Sequence, residues 1–317
     1  MAPILTPDGN EVEEIILPDG SEAAEVIAPD GTVVFEAAEP EAFAIGGVAG
    51  SFDAHDSVYG LEDGSWSEID SLPQGREFPA ATQDPEGRPL AIGGRDAGDA
   101  VRDNVYRFEG GSWTEIDSLP GRRSALAATQ DAEGRPLAIG GLDGDFNRHD
   151  TVYRLDGGSW SAIDSLPEVR NQLAATQDPE GRPLAIAGFD ADTDRQDTVY
   201  RLDGGSWSEI DSLPGARSSL AATQDPEGRP LAIAGEDGGG DRRDTVYRLE
   251  GGSWTAIDPL PDVRGGLAAA QDVEGRPLAI AGLDGNFNEQ DTVYRLDNDS
   301  WSTIDPLPET RRELGAT

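Results

Sequence analysis

The sequence predicts an all-β fold, a six-bladed β-propeller, from three observations. A unit repeats six times at a fixed step, since Trp66 and Trp113 are 47 positions apart and the later Trp residues keep that spacing. Each unit has four short apolar runs separated by turn residues, which is typical of a four-stranded antiparallel blade. The ends of the array are offset by one strand, so the last run can complete the first blade.

Invariant residues fix the register of the repeat. Each Trp follows a Tyr by seven positions and precedes an Arg by ten, and each Tyr follows an Asp by three. One Trp and one Tyr per unit indicate packing between blades rather than a ring of ligand-stacking aromatics. We expect the repeated Arg to pair with the repeated Asp, such as Asp103 or Asp150; the alternative is a channel for an anionic ligand. The repeated Arg residues are Arg76, Arg123, Arg170, Arg217, Arg264 and Arg311.

The unit from Arg170 to Pro214 shows the elements in order. Strand a is predicted near QLAATQ, strand b near RPLAIAG, strand c at DTVYRL and strand d at SWSEI. In the a–b turn, DPEGR, Pro and Gly are placed to reverse the chain. The c–d turn, DGGS, is predicted to be a tight hairpin because its glycines can adopt positive φ.

The ends of the array predict closure of the ring. The first unit begins at strand b, EAFAIGG, whereas the C-terminal TRRELGAT aligns with strand a. The last strand should therefore pair with the strands of residues 42–72 and form one composite blade, which leaves no exposed sheet edge. We accordingly divide the chain into an N-terminal segment, residues 1–41, and a propeller, residues 42–317.

The propeller region resembles the kelch family. The resemblance rests on Gly-Gly after strand b, on the Tyr and Trp at fixed distances beyond it, and on the LP…R segment. The resemblance implies a face, formed by the b–c and d–a loops, that commonly binds protein partners. Three later units have Ala-Gly instead, a departure that we expect to be mild because both residues are small. Those pairs begin at Ala187, Ala234 and Ala281.

The composition is strongly acidic. The formal net charge is -38, with 62 Asp and Glu residues, and the 24 basic residues are all Arg. Such a surface repels nucleic acid, and the regular β pattern argues against an acidic disordered protein. The acid excess without Lys or Cys resembles proteins of extremely halophilic archaea, where concentrated salt screens self-repulsion. No apolar stretch suits a cleavable signal or a membrane span, so we predict neither.

Residues 1–41 carry their own repeat, Pro-Asp-Gly, at a step of 11 from Pro7 to Pro18 and Pro29. The pattern predicts three small β-turn units, too short to bury a core alone. The segment could pack on the propeller as a decoration. We favour an assembly or anchoring segment that pairs with itself or with a virion protein, because its apolar residues would otherwise be hard to cover.

Differences between repeats locate a candidate binding face. The a–b and c–d turns barely change from unit to unit, whereas the b–c loops and d–a segments change greatly, and strand alternation places both on one face. Unconstrained drift of these loops is the alternative, but apolar residues placed in exposed loops favour binding. The candidate residues are Phe52, His55, Arg95, Asp99, Phe146, Arg148, His149, Phe189, Arg195, Arg242, Arg243, Phe287 and Asn288.

Three b–c loops have oxygen-rich spacings that hard cations such as Ca²⁺ prefer. They resemble the start of an EF-hand loop but lack its Glu at the twelfth position and its flanking helices, so solvated acidic turns are the alternative. We expect no other cofactor. The candidate ligands are Asp143, Asp145, Asn147, Asp190, Asp192, Asp194, Asp284, Asn286 and Asn288.

Catalysis has little support, because the chain has only two His residues and no recognisable nucleophile motif. We predict a non-enzymatic binding module, displayed as a spike, turret or tail fibre on a haloarchaeal virus, that recognises a host surface protein or glycan. The alternatives are a cytoplasmic interaction scaffold of a halophile and a glycan-active propeller enzyme with paired carboxylates.

Overall fold

The computed structural model describes residues 40–50 and 53–317, together with the backbone of residues 25–27 and 33–36. The chain divides into two units, residues 1–40 and residues 41–317. In the first unit, Glu25–Ile27 pairs antiparallel with Val33–Glu36. The turn units predicted around the three Pro-Asp-Gly sequences otherwise lie outside the described residues, as does Phe52. In the described part of the chain, no helix is long and apolar enough to cross a membrane.

The second unit is a six-bladed β-propeller, which confirms the predicted fold class. Each of its six sheets has four antiparallel strands in the order a, b, c, d. The a strands of successive blades contact one another, and these contacts close into a ring. Strand a is Gly315–Ala316 in blade 1, then Ala80–Gln83, Ala127–Gln130, Ala174–Gln177, Ala221–Gln224 and Ala268–Gln271 in blades 2 to 6.

The other strands follow in the same blade order. Strand b is Ala42–Ile45, Pro89–Ile92, Pro136–Ile139, Pro183–Ile186, Pro230–Ile233 and Pro277–Ile280. Strand c is Val58–Glu62, Val105–Glu109, Val152–Asp156, Val199–Asp203, Val246–Glu250 and Val293–Asp297. Strand d is Ser65–Glu68, Ser112–Glu115, Ser159–Ala162, Ser206–Glu209, Ser253–Ala256 and Ser300–Thr303. Blade 1 also carries a small ribbon of Val48–Ala49 and Asp53–Ala54.

Local chemistry explains both turns. In the a–b turn of blade 4, the buried carboxylate of Asp178 accepts hydrogen bonds from the backbone N–H groups of Glu180 and Arg182 and from Nε of Arg182 at 2.8 Å. Aspartate commonly closes a turn in this way. In the c–d turn of blade 3, Gly157 and Gly158 have φ of 58° and 83°, as a tight two-residue hairpin requires. The predicted glycines are confirmed in both turns, since Gly181 of the a–b turn also has a positive φ of 76°, whereas the closing role of the Asp was not predicted.

The repeated aromatic residues hold neighbouring blades together, as predicted. Trp160 of blade 3 packs against Leu90 and Ile92 of blade 2 in one buried cluster. Its backbone N–H donates to the Asp117 carboxylate of that same blade at 3.1 Å. Each of the six inter-blade cores likewise contains or contacts one repeated Trp, so the repeated aromatic residues belong to the scaffold and not to a ligand site.

The repeated Arg corrects one prediction, because it packs on a tyrosine instead of pairing with the repeated Asp. The Arg170 side chain is 1% exposed, and its guanidinium lies 5.5 Å from the ring centroid of Tyr200 in the next blade. Nη1 donates to the Val169 carbonyl at 2.9 Å and Nη2 to the Thr198 hydroxyl at 2.8 Å. A planar guanidinium suits this position since it can stack and donate at once.

The C-terminal strand closes the ring, as the offset ends predict. Gly315 and Ala316 pair with Ile45 and Ala44, and the Phe43 N–H donates to the Thr317 carbonyl at 2.8 Å. Arg311 lies 5.5 Å from the ring centroid of Tyr59 in blade 1. The last joint therefore has the same design as the other five.

Replacing the first Gly of the pair by Ala strains the backbone more than the small size of Ala suggests. Ala187, Ala234 and Ala281 have φ of 60°, 57° and 59°, in the left-handed region that disfavours a Cβ. At the equivalent Gly140, an added Cβ would come within 2.5 Å of the Arg170 carbonyl oxygen. Backbone geometry, and not side-chain volume, therefore selects glycine at this position.

Replacing Ala187 by Gly is expected to raise the free energy of unfolding by about 1 kcal/mol, because the left-handed strain exceeds the extra entropy that Gly loses on folding. Urea titration at constant salt measures the change. Gly140→Ala provides the matched reverse substitution and should destabilise. A neutral or negative effect of Ala187→Gly would contradict this account of the strain.

Candidate functional site

The variable loops gather on one face of the propeller through short backbone bridges. In blade 4, Asn171 of the d–a segment pairs with Phe189 of the b–c loop, which pairs with Arg195 farther along the same loop. The same three positions form bridges in the other blades, such as Ser218, Glu236 and Arg242 in blade 5. The b–c and d–a loops therefore share one face, as predicted.

A ring of six equivalent residues surrounds the mouth of the central channel on this face. Each lies two positions after a repeated Arg and has φ between 48° and 63°. Their backbones form a cyclic series of hydrogen bonds: the Gln172 N–H donates to Ala125 at 2.8 Å, and the Phe78 N–H closes the cycle on Glu313 at 2.9 Å. The mouth ring comprises Phe78, Ala125, Gln172, Ser219, Gly266 and Glu313.

The mouth ring encloses a depression with an apolar floor. About 440 Å³ of empty space, part of it open to solvent, lies between the six ring residues and the residues that follow them. Leucines occupy five of these six floor positions, and each also belongs to an inter-blade core. The floor residues are Pro79, Leu126, Leu173, Leu220, Leu267 and Leu314.

The two ends of the channel differ in their diversity. At the mouth, six identical backbone positions carry six different residue types. At the opposite end, the lining repeats Ala, Thr and Gln from blade to blade, and Gln130 donates through Nε2 to the Gln83 carbonyl at 2.9 Å. Uniform residues there serve the scaffold, whereas the mouth presents diverse chemistry on a constant backbone.

Glu313 gives the mouth its most perturbed titratable group. Burial is the main cause that raises the pKa of its carboxyl to about 7; the nearby Glu77 carboxylate acts in the same direction, whereas Arg312 and Arg95 lower the pKa. Arg312 Nη1 lies 2.6 Å from Glu313 Oε2. Glu77 does not line the depression and is bonded to Arg95. One carboxyl therefore faces the mouth, and near neutral pH it holds a proton about half of the time.

The predicted arginines surround the mouth, but each is engaged with neighbours. Arg195 forms an ion pair with Glu236 at 2.7 Å and lies 4.8 Å from the ring centroid of Phe189. Arg242 also contacts Glu236, at 3.4 Å, and its guanidinium lies 4.1 Å from the Phe287 ring centroid. These cations brace adjacent blades, so they are less available to an anionic ligand than the sequence suggests.

The remaining predicted cations are held in the same way. Arg95 bonds Glu77 and lies 3.7 Å from Asp99, which occupies a left-handed position in its loop. Arg148 donates to the Asn171 side chain at 2.6 Å. Arg243, in contrast, bonds Asp237 within its own loop.

The predicted phenylalanines take two different positions. Phe146 and Phe287 are 69% and 73% exposed at the tips of their b–c loops, with φ of 62° and 64°. Phe189 lies earlier in its loop and is partly covered by Arg195. Blades 3 and 6 are three steps apart in a ring of six, so the two exposed rings lie on opposite sides of the mouth.

In each oxygen-rich loop, the first Asp side chain accepts hydrogen bonds from the backbone of the same loop. Asp143 Oδ1 accepts hydrogen bonds from the N–H groups of Asp145 and Asn147 at 2.9 Å. Asp190 caps Asp192 and Asp194 in the same way. Asp284 likewise caps Asn286 and Asn288. Among the described residues, no three His, Asp or Glu side chains are grouped to hold a metal, and Ca²⁺ binding stays a prediction.

The two His residues are apart from the mouth ring. His149 Nε2 lies 3.1 Å from Asp143 Oδ2 and supports the b–c loop of blade 3. His55 is partly buried beside the closing joint, and burial together with Arg311 lowers the pKa of its imidazole. His149 therefore interacts within its own loop and His55 lies at the closing joint, so neither belongs to the mouth ring.

The mouth ring was not identified from sequence, although its variation is visible there. Its members are the fifth residues of the variable d–a segments QGREF, GRRSA, EVRNQ, GARSS, DVRGG and ETRRE. The sequence signal that could have identified the ring is one fixed position at which the residue type differs in every unit. The left-handed backbone that turns this position toward the axis was not apparent.

Comparisons with known proteins agree on the fold. No protein-family model matches the sequence, and the search of curated proteins found no match. The solved structure of YjhT resembles the chain with a TM-score of 0.67 and 13% sequence identity. The similarity covers 84% of this chain and 97% of YjhT. At this identity the resemblance shows a shared β-propeller fold.

Proposed function

We propose that the protein is a non-enzymatic binding module that holds its partner on the variable face, over the channel mouth. The observation that carries this proposal is the mouth ring, where one backbone conformation presents six different side chains. A scaffold needs one suitable residue repeated six times, as at the opposite end of the channel. Diversified positions on a constant scaffold are how repeat proteins build binding surfaces.

Backbone strain at the mouth supports the same proposal. Five of the six ring positions carry a Cβ in the left-handed region, where glycine would avoid a cost of about 1 kcal/mol per position. Folding alone would favour glycine throughout, as at Gly266. The strained side chains therefore serve something other than stability.

The lining of the mouth favours binding over hydrolysis. Glycoside hydrolysis by the usual mechanism needs two carboxyl groups that face one site. Of the described lining residues, Glu313 alone carries a carboxyl group, and Glu77 is held by Arg95 outside the depression. This arrangement supports a recognition role and weakens the glycan-active alternative.

The proposed setting is the surface of a haloarchaeal virus, with a host surface protein or glycan as partner and residues 1–41 as the anchoring segment. The acid excess without Lys supports a halophilic setting, and the Gly-Gly, Tyr and Trp positions support a kelch-type repeat. The alternative is a cytoplasmic scaffold of the halophile itself. Antibody detection in purified virions separates the two, and absence from virions would exclude the viral setting.

The halophilic setting predicts a strong dependence of stability on salt. With a net charge of -38, the folded chain repels itself, and added salt screens this repulsion. We expect the Tm to rise steeply as KCl is increased at constant pH. Sucrose at matched water activity is the control, since it stabilises without screening. An equal response to both solutes would contradict adaptation to salt.

The binding role is tested on the exposed phenylalanines. Replacing Phe146 and Phe287 by Ser should weaken binding of the full chain to haloarchaeal host cells at least tenfold, because apolar anchors dominate such contacts. Val273→Ser is the matched control, since Val273 is 71% exposed on the opposite face. Unchanged binding of the double variant, or equal losses in variant and control, would refute a partner on the variable face.

A further inference from the structure

We infer that the mouth ring binds the terminal unit of a neutral saccharide, with Phe78 as a stacking surface and Gln172, Ser219 and Glu313 as hydrogen-bonding groups. This inference rests on the proposed binding role of the variable face and names its ligand. It is argued from the floor of the depression, from its polar rim, from its charge and from the groove beside it.

The floor limits the ligand to a short terminal group. Five leucines and Pro79 lie beneath the ring and belong to tightly packed inter-blade regions, where the leucines are 6% or 7% exposed. A ligand can therefore enter the mouth but cannot pass through it. A compact group with one apolar face fits this shape, because it can rest on the floor and share the Phe78 ring with Arg95, whose guanidinium lies 5.8 Å from the ring centroid.

The rim supplies paired donors and acceptors. The Gln172 amide, the Ser219 hydroxyl and a protonated Glu313 carboxyl can each donate and accept a hydrogen bond. Adjacent hydroxyl groups on a sugar ring also donate and accept, so they match such groups. The backbone N–H groups of the ring are bonded to one another, and side chains therefore provide the polar contacts.

The charge at the mouth favours a neutral ligand. The nearby cations are already engaged: Arg312 contacts Glu289 and, when that carboxyl is ionised, Glu313, and Arg95 bonds Glu77. No cation is among the described residues that line the depression, and an anionic sugar would approach a chain with a net charge of -38. A cationic group would compete with Arg312 for the Glu313 carboxyl.

A shallow groove lies beside the mouth, where a second unit would rest. It extends from Phe78 and Gln172, between blades 2 and 3, toward the exposed ring of Phe146. It adds about 340 Å³ of empty space, part of it open to solvent, and is also lined by Val101 and Leu142 and by the charged Arg95 and Asp143. An oligosaccharide with its terminal unit in the mouth could place the next unit between two aromatic side chains.

The first experiment screens the full chain, in concentrated KCl, against an array of neutral oligosaccharides, acidic oligosaccharides and peptides. We expect neutral oligosaccharides to bind. Phe78→Ala and Gln172→Ala should each weaken binding of the best neutral probe at least tenfold, whereas Val273→Ser should not. Binding of acidic saccharides or peptides alone would overturn this inference. Cell binding that still depends on Phe146 and Phe287 would then leave the proposed function standing.

A pH titration of the same probe tests the role of Glu313. Between about pH 6 and about pH 8 the protonated fraction of a group with pKa near 7 falls about tenfold, so the affinity of the native chain should fall by up to that factor. Glu313→Gln keeps a donor at every pH and should bind without this dependence. A pH profile that is the same in both proteins would overturn the assignment of Glu313, and a loss of binding at every pH in Glu313→Gln would do so as well.

Discussion

Replacing Arg170 by Met is expected to lower the free energy of unfolding by about 3 kcal/mol, because the substitution removes a buried cation that lies over Tyr200, donates several hydrogen bonds and pairs with Glu168 at a joint between blades. The guanidinium connects the Val169 carbonyl to the Thr198 hydroxyl and to the Tyr200 ring of the next blade. Met fills much of the volume but cannot donate, so the part-buried Val169 carbonyl and the Thr198 hydroxyl lose their side-chain donor. Urea unfolding at constant KCl measures the change.

Arg201→Met in strand c of the same region is the matched control. The Arg201 side chain is 30% exposed, and its Nη1 lies 3.9 Å from the Asp178 carboxylate. At this separation, and with Asp178 already bonded by Arg182 at 2.8 Å, the Arg201 contact contributes about 1 kcal/mol or less. Equal losses for the two substitutions would show that burial and stacking do not set the contribution of the repeated Arg.

The same substitution at Arg311 measures the closing joint. Arg311 contacts Ser57 at 2.7 Å and Tyr59 at 3.1 Å across the ends of the ring, with the geometry that Arg170 has inside the array. A comparable loss of stability is therefore expected. A much smaller loss would mean that the closing joint contributes less than the internal joints.

The sequence was sufficient for the fold because its signals are local or periodic. Turn type follows from Gly157 and Gly158 or from an Asp such as Asp178, each acting within a few residues. The fixed step identifies equivalent strands, and the offset ends identify the partner of Gly315–Ala316. Each of these inferences needs no knowledge of the distance between blades.

Local and periodic signals in the sequence could not predict the partner of the repeated Arg. Asp, Tyr and Arg all recur at the same step, so periodicity alone allows Arg170 to meet either the repeated Asp or the repeated Tyr. The choice depends on the depth at which the side chain enters the joint. In the structure the guanidinium lies deep enough to reach Tyr200, and an aromatic face there accommodates a stacked cation.

The sequence predicted which face of the propeller carries the candidate site, but not which residues form the site. Loop variation placed the face correctly, but it gave equal weight to Phe146 at a loop tip and to Phe189 beneath an arginine. The mouth ring was missed because its direction depends on a cyclic set of hydrogen bonds that joins all six blades. No single unit contains that information.

Glu313 should make the protein less stable as the pH rises from about 4.5 to about 7, by up to about 3 kcal/mol. In the unfolded chain this carboxyl loses its proton near its usual pKa of 4.5, whereas burial in the folded chain raises the pKa to about 7. Between these values the folded state binds more protons than the unfolded state, so raising the pH favours unfolding. Above about pH 7 both states are ionised, and this contribution becomes constant.

The effect is isolated by the difference in unfolding free energy between the native chain and Glu313→Gln, measured by urea titration across this pH range at constant KCl. The unfolding free energy of the variant should increase relative to that of the native chain as the pH rises, because Gln has no proton to lose. Glu309→Gln is the matched control: the Arg311 hydrogen bond lowers the pKa of Glu309, so its contribution is lost only as the pH falls below about 4.5. A difference for Glu313→Gln that does not change between about pH 4.5 and about pH 7 would show that the mouth leaves this carboxyl solvated, and the hydrogen-bond donor assigned to it near neutral pH would then have to be withdrawn.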